Sequence, residues 1–177
     1  MDKKSLRKCI REKKQAMTDA QIIQLSEDLT EQFLATDLYR HTKTIYGYLP
    51  YNQEVRTTAI LEQALRDGKQ IAVPKIFGDQ MKFILLSDLS KVEPGYKGIP
   101  EPVDDGPVAD DPGALVLMPG LAFTKEGDRM GYGGGFYDKF LAAEPNHPTI
   151  ALCYGFQIVS EIPKEDYDIP VDLVLWA

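Results

Sequence analysis

The sequence is poor in the residues that build metal and redox centres. Among its 177 residues are two cysteines, Cys9 and Cys153, far apart in the chain, and two isolated histidines, His41 and His147. Neither pair has the spacing of a metal-binding motif. We therefore expect reduced thiols, as is usual for a cytoplasmic protein, and surface histidines in place of a metal ligand or catalytic base.

Long apolar runs and net positive charge are also missing. No window approaches 18 consecutive apolar residues, and no apolar stretch follows the polar start MDKKSLRK, so neither a transmembrane helix nor a secretory signal is predicted. The net charge of −7 argues against general binding of nucleic acid. We expect a cytoplasmic protein with small-molecule substrates and no nucleic-acid or membrane partner, and either a monomer or a weak dimer.

The positive charge that is present is concentrated at the N-terminus. Residues 1–14 contain an excess of basic side chains over Asp2 and Glu12, namely Lys3, Lys4, Arg7, Lys8, Arg11, Lys13 and Lys14. An acidic protein that binds an anionic ligand needs local cations, and these are the densest in the chain. A solvated helix face would carry the same charges, so both interpretations stay open.

Hydrophobic periodicity predicts strands that alternate with helices. The predicted helices span 3–17, 19–35, 57–66 and 135–143, and the predicted strands span 44–49, 70–73, 81–86, 114–118, 149–154 and 172–176. Residues 94–113, rich in proline and glycine, are predicted to be a loop packed over the domain. The alternation predicts one α/β domain over 1–177, with a mostly parallel sheet covered on both faces and ligands at the carboxyl ends of its strands.

Four glycines lie within residues 129–138, RMGYGGGFYD, between a buried strand and a helix. Glycine lets backbone N–H groups approach a ligand, and a helix N-terminus adds unpaired donors, so the segment predicts a phosphate site. It is neither a Walker A loop nor a dinucleotide fingerprint. A flexible turn that caps the helix is the alternative interpretation.

The stretch MPGLAFTKEGDRMGYGGGFYDKFL at 118–141 closely resembles the signature of 5-formyltetrahydrofolate cyclo-ligases, also called methenyltetrahydrofolate synthetases. The segments KKSLRK, YLPYNQEVRT, VPKI and PVDLVL occur in the order expected for that family, so the resemblance extends over nearly the whole chain. It implies a three-layer α/β/α sandwich similar to ribose-5-phosphate isomerase and CoA transferases.

The implied activity is the ATP- and Mg²⁺-dependent conversion of 5-formyltetrahydrofolate to 5,10-methenyltetrahydrofolate. ADP and phosphate would be released, and a phosphorylated formyl group, an iminium phosphate, would be the intermediate. Two alternatives stay open: another ATP-dependent ligase on the same scaffold, and a non-catalytic regulator that binds nucleotide or folate.

The resemblance also implies roles for individual residues. The positions matching the family's ATP site are Lys3, Lys4, Ser5, Leu6, Arg7, Arg129, Met130, Gly131, Tyr132, Gly133, Gly134, Gly135, Phe136 and Tyr137. The folate positions are Leu49 and Glu54, together with the shared loop residues Tyr132, Gly133, Gly134, Gly135 and Phe136. The metal positions are Asp138 and Asp172. From the residues alone, Asp138 could equally pair on its helix, and Asp172 could be an ordinary acid at a strand edge.

Arg129 is the expected catalytic cation, because a guanidinium suits the oxygens of a transferring phosphoryl group. Many members of the family carry Lys or Arg where this chain has Gly134, so the N-terminal lysines or Arg129 should supply that charge here. We expect Arg129 to be an exposed loop residue, so that Arg129→Ala impairs turnover more than folding.

Overall fold

The computed structural model describes all residues, Met1–Ala177. The helices are α1 (Lys3–Gln15), α2 (Asp19–Leu34), α3 (Asp37–His41), α4 (Thr58–Arg66) and α5 (Phe136–Ala143). Four of them lie within two residues of the predicted bounds, and α3 was not predicted. Side chains at the N-caps explain two of these starts: Asp2 accepts from the Ser5 N–H at 2.7 Å, and Thr18 forms a capping box with Gln21.

Ten strands form one large and two small sheets. They are β1 (Thr44–Tyr46), β2 (Gln70–Phe77), β3 (Gln80–Leu86), β4 (Val92–Pro94), β5 (Pro100–Pro102), β6 (Leu115–Met118), β7 (Ala122–Phe123), β8 (Arg129–Met130), β9 (Thr149–Cys153) and β10 (Leu173–Trp176). The large sheet has the order β10-β9-β6-β1-β2-β3, and only β3 runs antiparallel to its neighbour. The predicted mostly parallel sheet is therefore confirmed.

Alternate residues of the buried strands face two separate cores. In β6, for example, Leu115 and Leu117 join one cluster with α2 and α4, whereas Val116 and Met118 join the other with Leu141 of α5. This alternation is the geometry of a sheet with an apolar layer on each side. It produces the predicted three-layer α/β/α arrangement.

Helix α1 packs against the small β7–β8 sheet through a third cluster of buried residues. Leu6 and Ile10 contact residues around β7 and β8, including Leu121, Ala122 and Met130. The helix is amphipathic, so burying this apolar stripe leaves its basic residues on other faces. No helix of the structure is long and apolar enough to cross a bilayer.

A short hairpin begins at Val92 and extends into the segment predicted as a loop at 94–113. Strands β4 and β5 pair antiparallel, and a turn of 3₁₀ helix at Tyr96–Gly98 connects them. Strand β2 is also longer than predicted, because it continues through Pro74 to pair with β3. Proline is tolerated there because β1 pairs with β2 only as far as Ala72.

Candidate functional site

A cavity of about 560 Å³ opens at the carboxyl ends of the parallel strands. Its wall combines α1, the segment after β1, the end of β2, the β4–β5 hairpin, the glycine loop 131–135 with the start of α5, and residues 167–168. The cavity therefore lies at the edge of the sheet where the sequence predicts that ligands bind. Parallel α/β sheets bind ligands at this edge because the loops after the strands converge there.

The glycine loop has a backbone that other residues would strain. Gly133 has φ +111° and Gly135 has φ +69°, and a Cβ added at either position would meet no atom within 4 Å. Gly135 is the N-cap of α5, and no side chain caps this helix. The first-turn N–H groups of α5 are consequently available beside open space, as a phosphate site requires.

Basic residues of α1 face this loop across the cavity. Lys3, Arg7, Arg11 and Lys14 all line the wall, and their spacing of three or four residues places them on one helix face. Of the predicted ATP-binding residues, Lys4 and Ser5 are exposed outside the cavity wall and Leu6 is buried in the third cluster. The structure therefore does not bring these three side chains to the cavity.

Three buried polar atoms in the cavity wall lack a partner. They are Nε of Arg7, Nε of Arg129 and the hydroxyl of Tyr137. Buried donors are almost always hydrogen-bonded in native proteins. All three belong to residues that line this one cavity.

Arg129 is not the exposed cation that the sequence predicts. Its side chain is only 6% exposed, and its Nη2 lies 3.3 Å from Oδ2 of Asp138. Nη1 donates to the Pro119 carbonyl oxygen at 2.9 Å. This expectation was wrong because the hairpin β7–β8 draws residue 129 into the protein, where its guanidinium connects the strand end to α5.

Asp138 and Asp172, the two predicted metal residues, are not brought together. Asp138 lines the cavity, whereas Asp172 lies outside it at the amino ends of β9 and β10. There the Thr149 N–H donates to Oδ2 of Asp172 at 2.9 Å, and the Asp172 N–H donates to the Thr149 hydroxyl at 2.8 Å. Asp172 is therefore an acid at a strand edge, which is the alternative to a metal ligand that the sequence left open.

A different carboxylate, Asp168, stands beside Asp138. It lines the cavity, and its Oδ2 lies 3.4 Å from Nζ of Lys3. The next residue, Ile169, donates its N–H to Oδ1 of Asp138 at 3.1 Å. Two aspartates from distant parts of the chain thus line the same cavity as the glycine loop.

Leu49 and Glu54, the predicted folate residues, both line the cavity. Oε1 of Glu54 accepts from the Tyr51 N–H at 2.8 Å, and Oε2 accepts from the Tyr132 hydroxyl at 3.1 Å. Burial raises the pKa of Glu54, and the Lys14 ammonium opposes part of that rise. The carboxylate is therefore held in a fixed orientation toward the cavity.

Sequence reasoning missed Asp168 as a site residue and gave Arg11 and Lys14 no individual role. The helical spacing from Lys3 to Lys14 is a signal that could have identified the two cations. No local pattern distinguishes Asp168 from Asp172, because both belong to the same acidic C-terminal segment. Only the packing of that segment against α5 separates them.

The chain is similar to known proteins over its whole length. A model of the 5-formyltetrahydrofolate cyclo-ligase family matches residues 1–177. A 5-formyltetrahydrofolate cyclo-ligase of Mus musculus is 27% identical over 192 residues, covering 98% of this chain and 93% of that relative. One of Mycolicibacterium smegmatis is 30% identical over 141 residues, covering 75% and 73%. The NMR structure of Aquifex aeolicus 5,10-methenyltetrahydrofolate synthetase superposes with a TM-score of 0.86 at 28% identity, covering 99% of this chain and 90% of that one.

Proposed function

Because this chain belongs to the 5-formyltetrahydrofolate cyclo-ligase family, we propose that it converts 5-formyltetrahydrofolate to 5,10-methenyltetrahydrofolate with ATP as co-substrate. One observation carries the proposal. The phosphate-type glycine loop and the carboxylate of Glu54 share one cavity, joined by the hydrogen bond from Tyr132 to Glu54 at 3.1 Å. A ligase for these two substrates needs both sites within reach of one reacting group.

The two steps of the proposed reaction determine which groups the cavity must hold. The oxygen of the N5-formyl group is a poor leaving group and must first be activated. It attacks the γ-phosphorus of ATP, ADP leaves, and an iminium phosphate forms. N10 then attacks the activated carbon, the C–O bond breaks, phosphate departs and N10 loses its proton. Positioning and electrostatic stabilisation dominate phosphoryl transfer, so the protein must mainly hold and neutralise the reacting groups.

The phosphate end of the cavity has the donors for this task. The glycine loop and the uncapped start of α5 offer backbone N–H groups. Arg7 and Arg129 each carry a buried Nε without a partner, and Lys3 adds a third cation. These groups supply the charge that a basic residue at Gly134 would otherwise provide. Arg129 is the proposed catalytic residue, because it is buried beside the loop that would hold the γ-phosphate.

Asp138 and Asp168 fit a magnesium ion that arrives with the nucleotide. Mg²⁺ usually takes one or two protein carboxylates and completes its shell with phosphate oxygens and water. The two aspartates line the cavity and provide this number of carboxylates, whereas Asp172 lies outside it beside Thr149. When bound there, the ion would neutralise phosphate charge.

The folate end is formed by Glu54 and Leu49. The pterin ring presents N–H donors at N3 and at its 2-amino group, and an oriented carboxylate accepts from both. Leu49 offers apolar surface for the flat ring.

A direct assay tests the proposal. The protein should produce methenyl absorbance from 5-formyltetrahydrofolate only when MgATP is present, and Asp138→Ala should greatly reduce the rate. Nucleotide and folate binding without turnover would favour a regulator, and ATP hydrolysis with a different substrate only would favour another ligase. Either result would overturn the proposed activity.

A further inference from the structure

Lys14 is a nearly buried cation without an acidic partner. Its side chain lines the cavity and the residue is only 5% exposed, yet no carboxylate oxygen lies within 4.0 Å of its Nζ. Its one hydrogen bond is a long one of 3.4 Å to the Tyr132 hydroxyl. A buried ammonium normally has several strong acceptors, so this group is poorly satisfied by the protein itself.

The surroundings of Lys14 form an ordered row of polar groups. The Tyr132 hydroxyl accepts from Lys14 and donates to Oε2 of Glu54 at 3.1 Å. Oε1 of Glu54 is held by the Tyr51 N–H. Along this wall, a ligand therefore meets two carboxylate acceptors, then the Tyr132 hydroxyl, whose proton goes to Glu54, and then an ammonium donor with unused N–H bonds.

This row complements one edge of a pterin ring. The edge carries a 2-amino donor, an N3–H donor and the C4 carbonyl acceptor, in that order. If Glu54 accepts from the two donors, the carbonyl lies beside that carboxylate and needs a donor of its own. A charged donor discriminates well between a carbonyl and a group that cannot accept, because the mismatch leaves both partners unsatisfied.

We propose that Lys14 is a substrate-binding residue that donates a hydrogen bond to the C4 carbonyl of the pterin and so selects 4-oxo over 4-amino rings. The assignment rests on the proposed function, since it takes folate as the ligand of Glu54. It adds a donor from α1 to the folate site, outside the segment 3–7 that is expected to contact ATP.

The test uses folic acid and its 4-amino analogue, which differ in the substituent at ring C4 and in the N3–H that the neutral amino ring lacks. Their dissociation constants, and that of 5-formyltetrahydrofolate, are measured for wild type, Lys14→Met and Lys13→Met. Lys13 is the matched control because it is an exposed lysine on the same helix. Lys14→Met should weaken 5-formyltetrahydrofolate binding about ten- to a hundredfold and leave ATP affinity unchanged, and Lys13→Met should match wild type.

The decisive quantity is the ratio of the two dissociation constants, amino over oxo. It should fall about tenfold or more from wild type to Lys14→Met, because only the carbonyl loses a partner. The same ratio is compared between wild type and variant. Any affinity that the amino ring gains by protonation beside Glu54 is common to both and therefore cancels. Lys14→Gln offers a polar replacement should the methionine variant fold poorly, and its amide, able to turn either way, should also lose selectivity.

The outcomes separate this inference from the proposed function. Wild type that forms methenyl product, with the same amino-to-oxo ratio in wild type, Lys14→Met and Lys14→Gln, overturns the role of Lys14 only. Wild type without turnover that still shows a Lys14-dependent ratio supports the role and rejects the activity. Binding of neither probe by wild type overturns both.

Discussion

Arg129 illustrates how a site residue can also be a structural residue. The guanidinium pairs with Asp138 at 3.3 Å and donates to the Pro119 carbonyl oxygen, while its buried Nε has no partner. Removing one partner of a buried ion pair leaves the other charge uncompensated. If Arg129 acts as proposed, we therefore expect stability and catalysis to be coupled at this position.

Arg129→Ala should consequently lower both activity and stability. We expect the free energy of unfolding to fall by about 3 kcal/mol, because Asp138 loses its cation, and kcat to fall roughly a hundredfold or more. Arg129→Lys should recover much of the stability but little of the activity, since it keeps the charge and loses the fork. Denaturant unfolding and the absorbance assay measure the two effects. An alanine variant as stable as wild type would contradict the buried pair.

Glu54 should make folate binding sensitive to acid. Burial raises the pKa of its carboxyl group, against the opposing effect of Lys14, and only the ionised form accepts from both pterin donors. The acid limb of kcat/KM for folate should therefore lie at a higher pH than an ordinary glutamate gives, and Glu54→Gln should lower kcat/KM about tenfold or more. A profile that is flat through the acid range would contradict this role.

The same pKa shift has a consequence for stability. Because the folded-state pKa of Glu54 is raised, its protonated form stabilises the fold below the unfolded-state pKa, and this contribution is lost as pH rises through the folded-state value. Glu54→Gln resembles the protonated form at every pH. The stability of the variant relative to wild type should thus increase as pH rises, which urea titrations at several pH values would measure. Constant relative stability would contradict the shift.

Among the elements, the glycine loop and α5 act as one unit. The left-handed residue Gly135 starts the helix, and Gly133 turns the preceding backbone toward the cavity. The free space around both Cβ positions means that backbone conformation, and not crowding inside the protein, requires glycine here. We expect phosphate to bind in this space.

Gly133→Val should abolish nucleotide binding, because it strains a φ of +111° and fills the space that phosphate would occupy. Gly78→Val is the matched control, since Gly78 has φ +64° and open surroundings in the β2–β3 turn away from the cavity. Both variants should lose about 1–3 kcal/mol of stability. Only the first should lose ATP affinity in calorimetry, and equal affinity in the two variants would reject the loop as the phosphate site.

In the molecule as a whole, the direction of the parallel strands decides which residues can cooperate. Helix α1, the glycine loop and the segment with Asp168 come from the beginning, the middle and the end of the chain, and all reach the carboxyl edge of the sheet. Asp172, only four positions after Asp168, lies at the amino edge with Thr149. A bound ligand should therefore contact elements that are distant in sequence and stabilise their packing against one another.

MgATP should accordingly raise the melting temperature. At a free concentration about a hundredfold above Kd, the expected rise is roughly 5–10 °C. Asp168→Asn should lose the part of this rise that depends on magnesium, whereas Asp172→Asn should keep it, because an amide oxygen still accepts from the Thr149 N–H. Differential scanning fluorimetry with and without magnesium compares them, and the reverse pattern would restore Asp172 as the metal residue.

Local patterns were enough to identify the family, the mostly parallel sheet and the glycine segment between a buried strand and a helix. Hydrophobic periodicity and the conformational preferences of glycine depend on a few neighbouring residues, so they can be predicted from the sequence. The burial of Arg129, the position of Asp168 in the cavity wall and of Asp172 outside it, and the contact of Lys14 with Tyr132 needed the folded molecule. Burial and pairing at these positions depend on distances between segments far apart in the chain, and no local pattern encodes those distances.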